Sequence, residues 1–86
     1  MNNIETIELY VGHVVDVEVT TLIENAITIA KEQRSHGRSK IDCVRKIYPA
    51  IKHCPKQAIW YAIIQGVSIS SRGAVTYYYN MKKENQ

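Results

Sequence analysis

Apolar and polar residues alternate along the first part of the chain. Between residues 5 and 11 every second residue is apolar, and the same period of two returns between residues 15 and 19. This period is typical of half-buried strands, and Gly12 with His13 supplies a turn between the two runs. The pattern predicts a β-hairpin over residues 5–19, with a helix that starts near Asp16 as the alternative. Because a lone hairpin is marginal in water, we expect it to pack on helices or to pair with a second copy.

The spacing of apolar residues changes to a helical period after Thr20. Thr21 and Glu24 have the spacing of a capping box, in which each side chain satisfies a backbone donor at a helix start. The apolar residues that follow are Leu22, Ile23, Ala26, Ile27, Ile29 and Ala30. They predict a first helix from Thr21 to about Gln33, and Gly37 in the polar segment beyond it is a candidate stop.

Three further helices are predicted from caps, prolines and glycines. Ser39 is placed to cap a second helix, with Asp42 in its first turn and Pro49 expected to stop or kink it, since proline lacks a backbone donor. Pro55 suits the start of a third helix, which Gly66 is expected to end. Ser70 or Ser71 then caps a fourth helix that ends near Lys83.

The last two predicted helices are separated by only a few residues. Two helices joined by a short turn form a helix-turn-helix, here over residues 55–83, and Ala62 is small enough to allow the close crossing that this motif needs. The predicted fold is therefore mainly α, with about four helices including a C-terminal helix-turn-helix, and a short N-terminal β-hairpin or strand. We expect a single domain over residues 1–86, in which residues 1–20 form a strand segment and possible dimer seam and residues 21–83 are helical.

The net charge of +3 conceals a division along the chain. Residues 1–32 carry six carboxylates against one lysine, a balance of −5, and residues 33–86 carry ten cations against two carboxylates, a balance of +8. Such asymmetry is typical of a protein whose basic part meets a polyanion. The alternative is that the two halves neutralise each other within one fold or across a dimer.

The N-terminal part of the second helix of a helix-turn-helix approaches the DNA major groove. Arg72 could donate twice to a guanine edge, and hydroxyl side chains can contact bases or phosphates, while lysines and arginines on flanking helices neutralise phosphates. The candidate nucleic-acid-binding residues are Ser70, Ser71, Arg72, Thr76, Tyr77, Lys40, Arg45, Lys46, Lys56 and Lys83. Consecutive helical residues point about 100° apart, so we expect Tyr78 in the core and at least one of Tyr77 and Tyr79 at the surface.

Catalytic and metal-binding patterns are not found in the sequence. It has no Gly-rich phosphate loop, no G-x-S-x-G and no H-E-x-x-H, so we expect no enzymatic activity and no cofactor. Cys43 and Cys54 lack zinc-ligand spacing and are expected to be reduced thiols that pack as small apolar groups. The first ten residues have no signal-peptide pattern and no run is long enough to span a membrane, so we expect a cytoplasmic protein.

The segment from Ser39 to Lys83 contains IYPAIKH, the helix begun by Pro55, and RGAVTYYYNMKK. It resembles a small helical module of bacterial and phage proteins that ends in a Gly-Ala-x-Thr-Tyr-Tyr-x-Asn-x-Lys string, and the resemblance covers about 45 of the 86 residues. The string lies here at Gly73, Ala74, Thr76, Tyr77, Tyr78, Asn80 and Lys82. The resemblance implies a winged-helix-like or helix-turn-helix-like module associated with nucleic acid.

These features predict a small DNA-binding protein, a homodimeric transcriptional regulator of phage or mobile-element origin whose partner is double-stranded DNA. The alternative is a phage-encoded inhibitor that binds a protein of a host or competing nucleic-acid machine, with the acidic N-terminal segment as its contact surface. A third hypothesis is a structural or assembly role, which predicts oligomers larger than a dimer.

Overall fold

The structure, a computed structural model, describes residues 17–85, and this part of the chain is mainly α, as predicted. Within it there are four helices and no strand. The helices are α1 (Val17–Ser35), α2 (Lys40–Ile51), α3 (Lys56–Val67) and α4 (Ser71–Glu84). The greater part of the predicted hairpin, residues 5–16, lies outside the described residues.

The first helix begins four residues before the predicted start. Val17 and Val19, assigned to the second strand of the hairpin, lie in the first turn of α1, in agreement with the alternative of a helix near Asp16. Thr21 is consequently an exposed interior residue of α1 and not its cap, so the capping-box prediction is wrong. Val19 packs against the core, and this tertiary contact outweighs the modest β preference of valine.

The end of α1 confirms Gly37 as a helix stop. Gly37 has a φ of +85°, the left-handed region that glycine enters without steric cost. The amide of Gly37 donates to the carbonyl of Arg34 (3.0 Å), and that of Arg38 donates to the carbonyl of Gln33 (3.2 Å). These two bonds form a Schellman motif, which turns the chain from α1 towards α2.

The start of α2 also follows the prediction, but its end does not. The Ser39 hydroxyl oxygen accepts a hydrogen bond from the amide of Asp42 at 3.2 Å, as an N-cap does. Pro49 does not stop the helix, because α2 continues for two residues beyond it to Ile51. Pro49 is exposed, whereas Ile47 and Ile51 on the opposite face are buried, so core packing holds the last turn despite the missing donor.

Gly66 lies inside α3 and does not end it, which corrects a second prediction. The helix extends to Val67, and Ser68 takes the left-handed conformation (φ 56°, ψ 57°) while its amide donates to the carbonyl of Ile64. A β-carbon at Gly66 would lie 2.7 Å from the β-carbon of Ala30. Glycine is therefore required here by the close approach of α1 and α3.

One core unites the four helices. α1 packs mainly on α3 and α2, and α4 packs on the same two helices, so α2 and α3 lie at the centre of the described structure. The largest fully buried side chains are Ile47, Ile51, Ile59, Ile63, Met81, Val44, Val67 and Cys43. Burial raises the pKa of the Cys43 thiol, which is consistent with its predicted packing role.

Candidate nucleic-acid interface

The chain turns from α3 into α4 within three residues, Ser68 to Ser70. Ser70 is the N-cap of α4, and its hydroxyl oxygen accepts a hydrogen bond from the amide of Gly73 at 3.2 Å. The hydroxyl proton of Ser70 is not needed for this cap and can be donated outward. The first turn of α4 therefore presents two exposed serines and Arg72 to solvent.

The outer face of α4 carries four exposed residues in one row: Arg72, Thr76, Tyr79 and Lys83. Their spacing of four, three and four residues places them on the same side of the helix, opposite the buried side chains of Ala74, Tyr78 and Met81. At 1.5 Å per residue the row is about 16 Å long. We call this row the α4 stripe.

Arg72 makes no salt bridge within residues 17–85. Its carbonyl oxygen accepts a hydrogen bond from the Thr76 hydroxyl at 3.1 Å, so the Thr76 proton is used inside the helix while its oxygen can still accept from outside. The Arg72 guanidinium therefore offers its donors to a partner, and the exposed N-terminus of α4 adds the positive end of the helix dipole beside it.

The structure places Tyr77 and Tyr79 differently from the site prediction. Tyr77, the predicted contact residue, is half-buried and packs against the core. Tyr79 is 52% exposed and belongs to the α4 stripe. The signal that could have found it is its position seven residues after Arg72, which is two helical turns along the same face.

The predicted flanking cations do not gather around Arg72. Arg45 donates to both carboxylate oxygens of Glu84 (3.1 Å each) and to Asp42 (2.9 Å), so three of its five donors are used by two carboxylates. The hydrogen bonds and charge of Glu84 raise the pKa of Arg45, and Arg45 lowers the pKa of Glu84. This cluster lies at the C-terminal end of α4, about 18 Å along the helix from Arg72.

The remaining cations have separate positions. Lys46 lines an open depression of about 340 Å³ between the end of α1 and α2, together with Gln33, Arg38, Asp42 and Arg45. Lys56 lies over the ring of Trp60, with 5.6 Å between its Nζ and the ring centroid. Lys40 is half-buried at the start of α2. Of the predicted flanking cations, only Lys83 is part of the α4 stripe.

An aromatic cluster fixes the inner side of α4. The Tyr78 ring meets the Tyr48 ring edge to face at 6.5 Å and the Trp60 ring at 6.0 Å, and the Tyr79 ring lies 5.2 Å from it on the outer side. Burial raises the pKa of Tyr48. The indole N–H of Trp60 is buried and has no hydrogen-bond partner among residues 17–85. The cluster orients α4 on α2 and α3 and so determines which side of α4 faces solvent.

No family model, curated protein or solved structure matches this chain. Among residues 17–85 no three His, Cys, Asp or Glu side chains are grouped so that they could hold a metal ion. None of the helices in that range has the length and apolar character needed to cross a lipid bilayer.

Proposed function

We propose that the protein binds double-stranded DNA through α4, with α3 and α4 acting as a helix-turn-helix. The observation that carries the proposal is the α4 stripe: an exposed row with a cation at each end, on a helix that starts immediately after a three-residue turn. An α-helix fits the major groove, and in this motif the N-terminal residues of the second helix reach the base edges. Arg72, in the first turn of α4, has the side chain best suited to a guanine edge.

The other groups of the site supply phosphate contacts in this proposal. Ser70 and Ser71 lie beside the N-terminal amides of α4, where a phosphate oxygen is favoured by the helix dipole. Tyr79 can donate its hydroxyl to phosphate, and Lys83 supplies charge at the far end of the stripe. The exposed cations Lys46, Lys52 and Arg38 extend the positive surface over α2. A transcriptional regulator of phage or mobile-element origin is the role that this type of site fits best.

The test is a fluorescence anisotropy titration of a labelled random duplex over a series of salt concentrations. We expect affinity to fall with salt, because each neutralised phosphate releases counterions. Arg72→Ala is expected to weaken binding and, if Arg72 contacts phosphate, to reduce the slope of log K against log salt by about 1. Lys31→Ala removes an exposed cation of α1 and is the matched control. The proposal is wrong if the wild-type protein binds no duplex at low salt.

A second candidate function is favoured by the outer face of α1. Leu22 and Ile29 are 41% and 39% exposed there, beside carboxylates such as Glu32. An acidic face with apolar residues can bind a basic surface of another protein, as an inhibitor that occupies a nucleic-acid site does. A stable protein partner in a pull-down, together with no DNA affinity in the purified protein, would favour this function over the first.

The predicted homodimer stays a prediction. Its proposed seam, residues 1–20, falls mostly outside the described residues, and residues 17–20 are part of α1. Sedimentation equilibrium of the purified protein measures the oligomeric state directly.

A further inference from the structure

Two exposed helix faces of this chain have opposite character. The outer face of α1 carries Glu18, Leu22, Asn25, Ile29 and Glu32, which we call the α1 stripe. It combines two partly exposed aliphatic side chains with a carboxylate at each end. The α4 stripe combines an exposed aromatic ring with a cation at each end.

We infer that the partner of the α1 stripe is the α4 stripe of a second copy of this chain. The first four residues of the α1 stripe are spaced by four, three and four residues, and so are the four residues of the α4 stripe. In an antiparallel arrangement Leu22 meets Tyr79, Asn25 meets Thr76, and Ile29 meets the aliphatic part of Arg72. At the ends, Lys83 lies opposite Glu18, and the Arg72 guanidinium reaches Glu32 one turn further along α1.

Charge complementarity favours this occupant over a symmetric pairing of two α1 helices. A symmetric α1 pair would place the acidic positions of both stripes in one seam, where like charges repel. In the α1–α4 contact Glu32 instead lies beside the N-terminus of α4, where the helix dipole stabilises a carboxylate. The contact also buries the exposed apolar surface of Leu22, Ile29 and Tyr79, which contributes to the free energy of association.

Within one molecule this contact is not made, because α1 packs mainly on α2 and α3, and α4 packs on those same helices. The contact therefore joins different surfaces of two copies. In a complex of two copies, one α1 stripe and one α4 stripe remain without a partner. Such a heterologous contact continues into a closed ring or an open chain of copies. The inference goes beyond the proposed function, since it holds whether or not α4 binds DNA.

Reciprocal charge reversal tests the contact by sedimentation velocity and light scattering over a range of concentrations. The wild-type protein is expected to grow in mean mass with concentration. Glu32→Lys and Arg72→Glu are each expected to weaken association by about tenfold, because each places like charges opposite one another. Mixing the two variants places opposite charges at positions 32 and 72 in every contact between unlike copies and is expected to restore association, as is combining both changes in one chain.

Lys52→Glu is the control, because Lys52 is an exposed cation on neither stripe. All changed positions are exposed, and circular dichroism checks that each variant is folded. A wild-type protein that stays monomeric at all concentrations overturns the inference, as does an Arg72→Glu variant that associates like the wild type. Glu32→Lys separates the two proposals, since Glu32 is not in the DNA site: a loss of association without a loss of DNA affinity in this variant supports both.

Discussion

The three consecutive tyrosines of α4 have three different environments. Tyr78 is buried between Tyr48 and Trp60, Tyr77 is half-buried, and Tyr79 lies at the surface with its ring against Tyr78. The helical rotation of 100° per residue produces this separation, and it confirms the expectation that Tyr78 is core and that a neighbour is exposed. The same residue type thus serves packing and contact within one turn.

Tyr78→Ala and Tyr79→Ala are expected to differ sharply in their effects. The first empties a core position whose ring contacts three other rings and should cost about 3–5 kcal/mol of unfolding free energy. The second removes one edge contact and should cost less than about 1.5 kcal/mol. Urea denaturation measures both, and Tyr78→Phe, which keeps the ring, is the control. Equal losses in the two alanine variants would contradict the different roles assigned to these rings.

At the scale of elements, α1 and α3 approach each other closely at Ala30 and Gly66. Gly66 lets the backbone of α3 lie against Ala30, where a methyl group would be 2.7 Å from the Ala30 β-carbon. Because both positions are in helix interiors, neither helix can yield without disturbing the core contacts around it. This crossing sets the position of α3, and through α3 that of the turn and α4.

Gly66→Ala is therefore expected to destabilise the fold by about 1–3 kcal/mol, the usual cost of overpacking a core. Gly73→Ala is the control, since the atom nearest to the new methyl would be the flexible end of Ile69 at 3.3 Å, with the Ser70 Oγ at 3.5 Å, and alanine favours the helix. Adding Ala30→Gly should relieve the clash, so the double variant should lose less than the sum of the single losses. Additive losses in denaturant titrations would count against direct contact at this crossing.

At the scale of the whole molecule, the ion pair between Arg45 and Glu84 joins α2 to the end of α4. Both partners are about half exposed, so we expect a small contribution to stability. The hydrogen bonds of Arg45 lower the pKa of Glu84 in the folded state. The contribution is thus fully present above the ordinary carboxyl pKa, about 4.3, and is lost as pH falls through the lower folded value.

Melting temperatures of the wild-type protein and Glu84→Gln between pH 7 and pH 3 test this link. The wild type should melt at the higher temperature at pH 7, and the difference should shrink as the pH falls through the lowered pKa of Glu84 in the folded state. Glu32→Gln changes a carboxylate outside the Arg45 cluster and should show no such convergence. A difference that is the same at both pH values would exclude this ion pair as its origin.

Two N-caps, one helix stop, the number of helices within residues 17–85 and the core side of each helix follow from the sequence alone, because they depend on local chemistry. Ser39, Ser70 and Gly37 act where the pattern predicts, since each satisfies or redirects backbone groups only a few residues away. Local rules fail where a neighbouring helix decides. Thr21, Pro49 and Gly66 have the appearance of helix ends, yet each lies within a helix that packing extends.

The composition of the candidate site is decided by the tertiary structure. The sequence identifies Arg72, Thr76 and Lys83 through their place on the last helix, but it cannot show that Arg45, distant in sequence, is held by Glu84. Nor does it reveal that α4 rests on Tyr48 and Trp60, the contact that turns Tyr79 outward. Such pairings join residues far apart along the chain, and only the packing of the four helices brings them together.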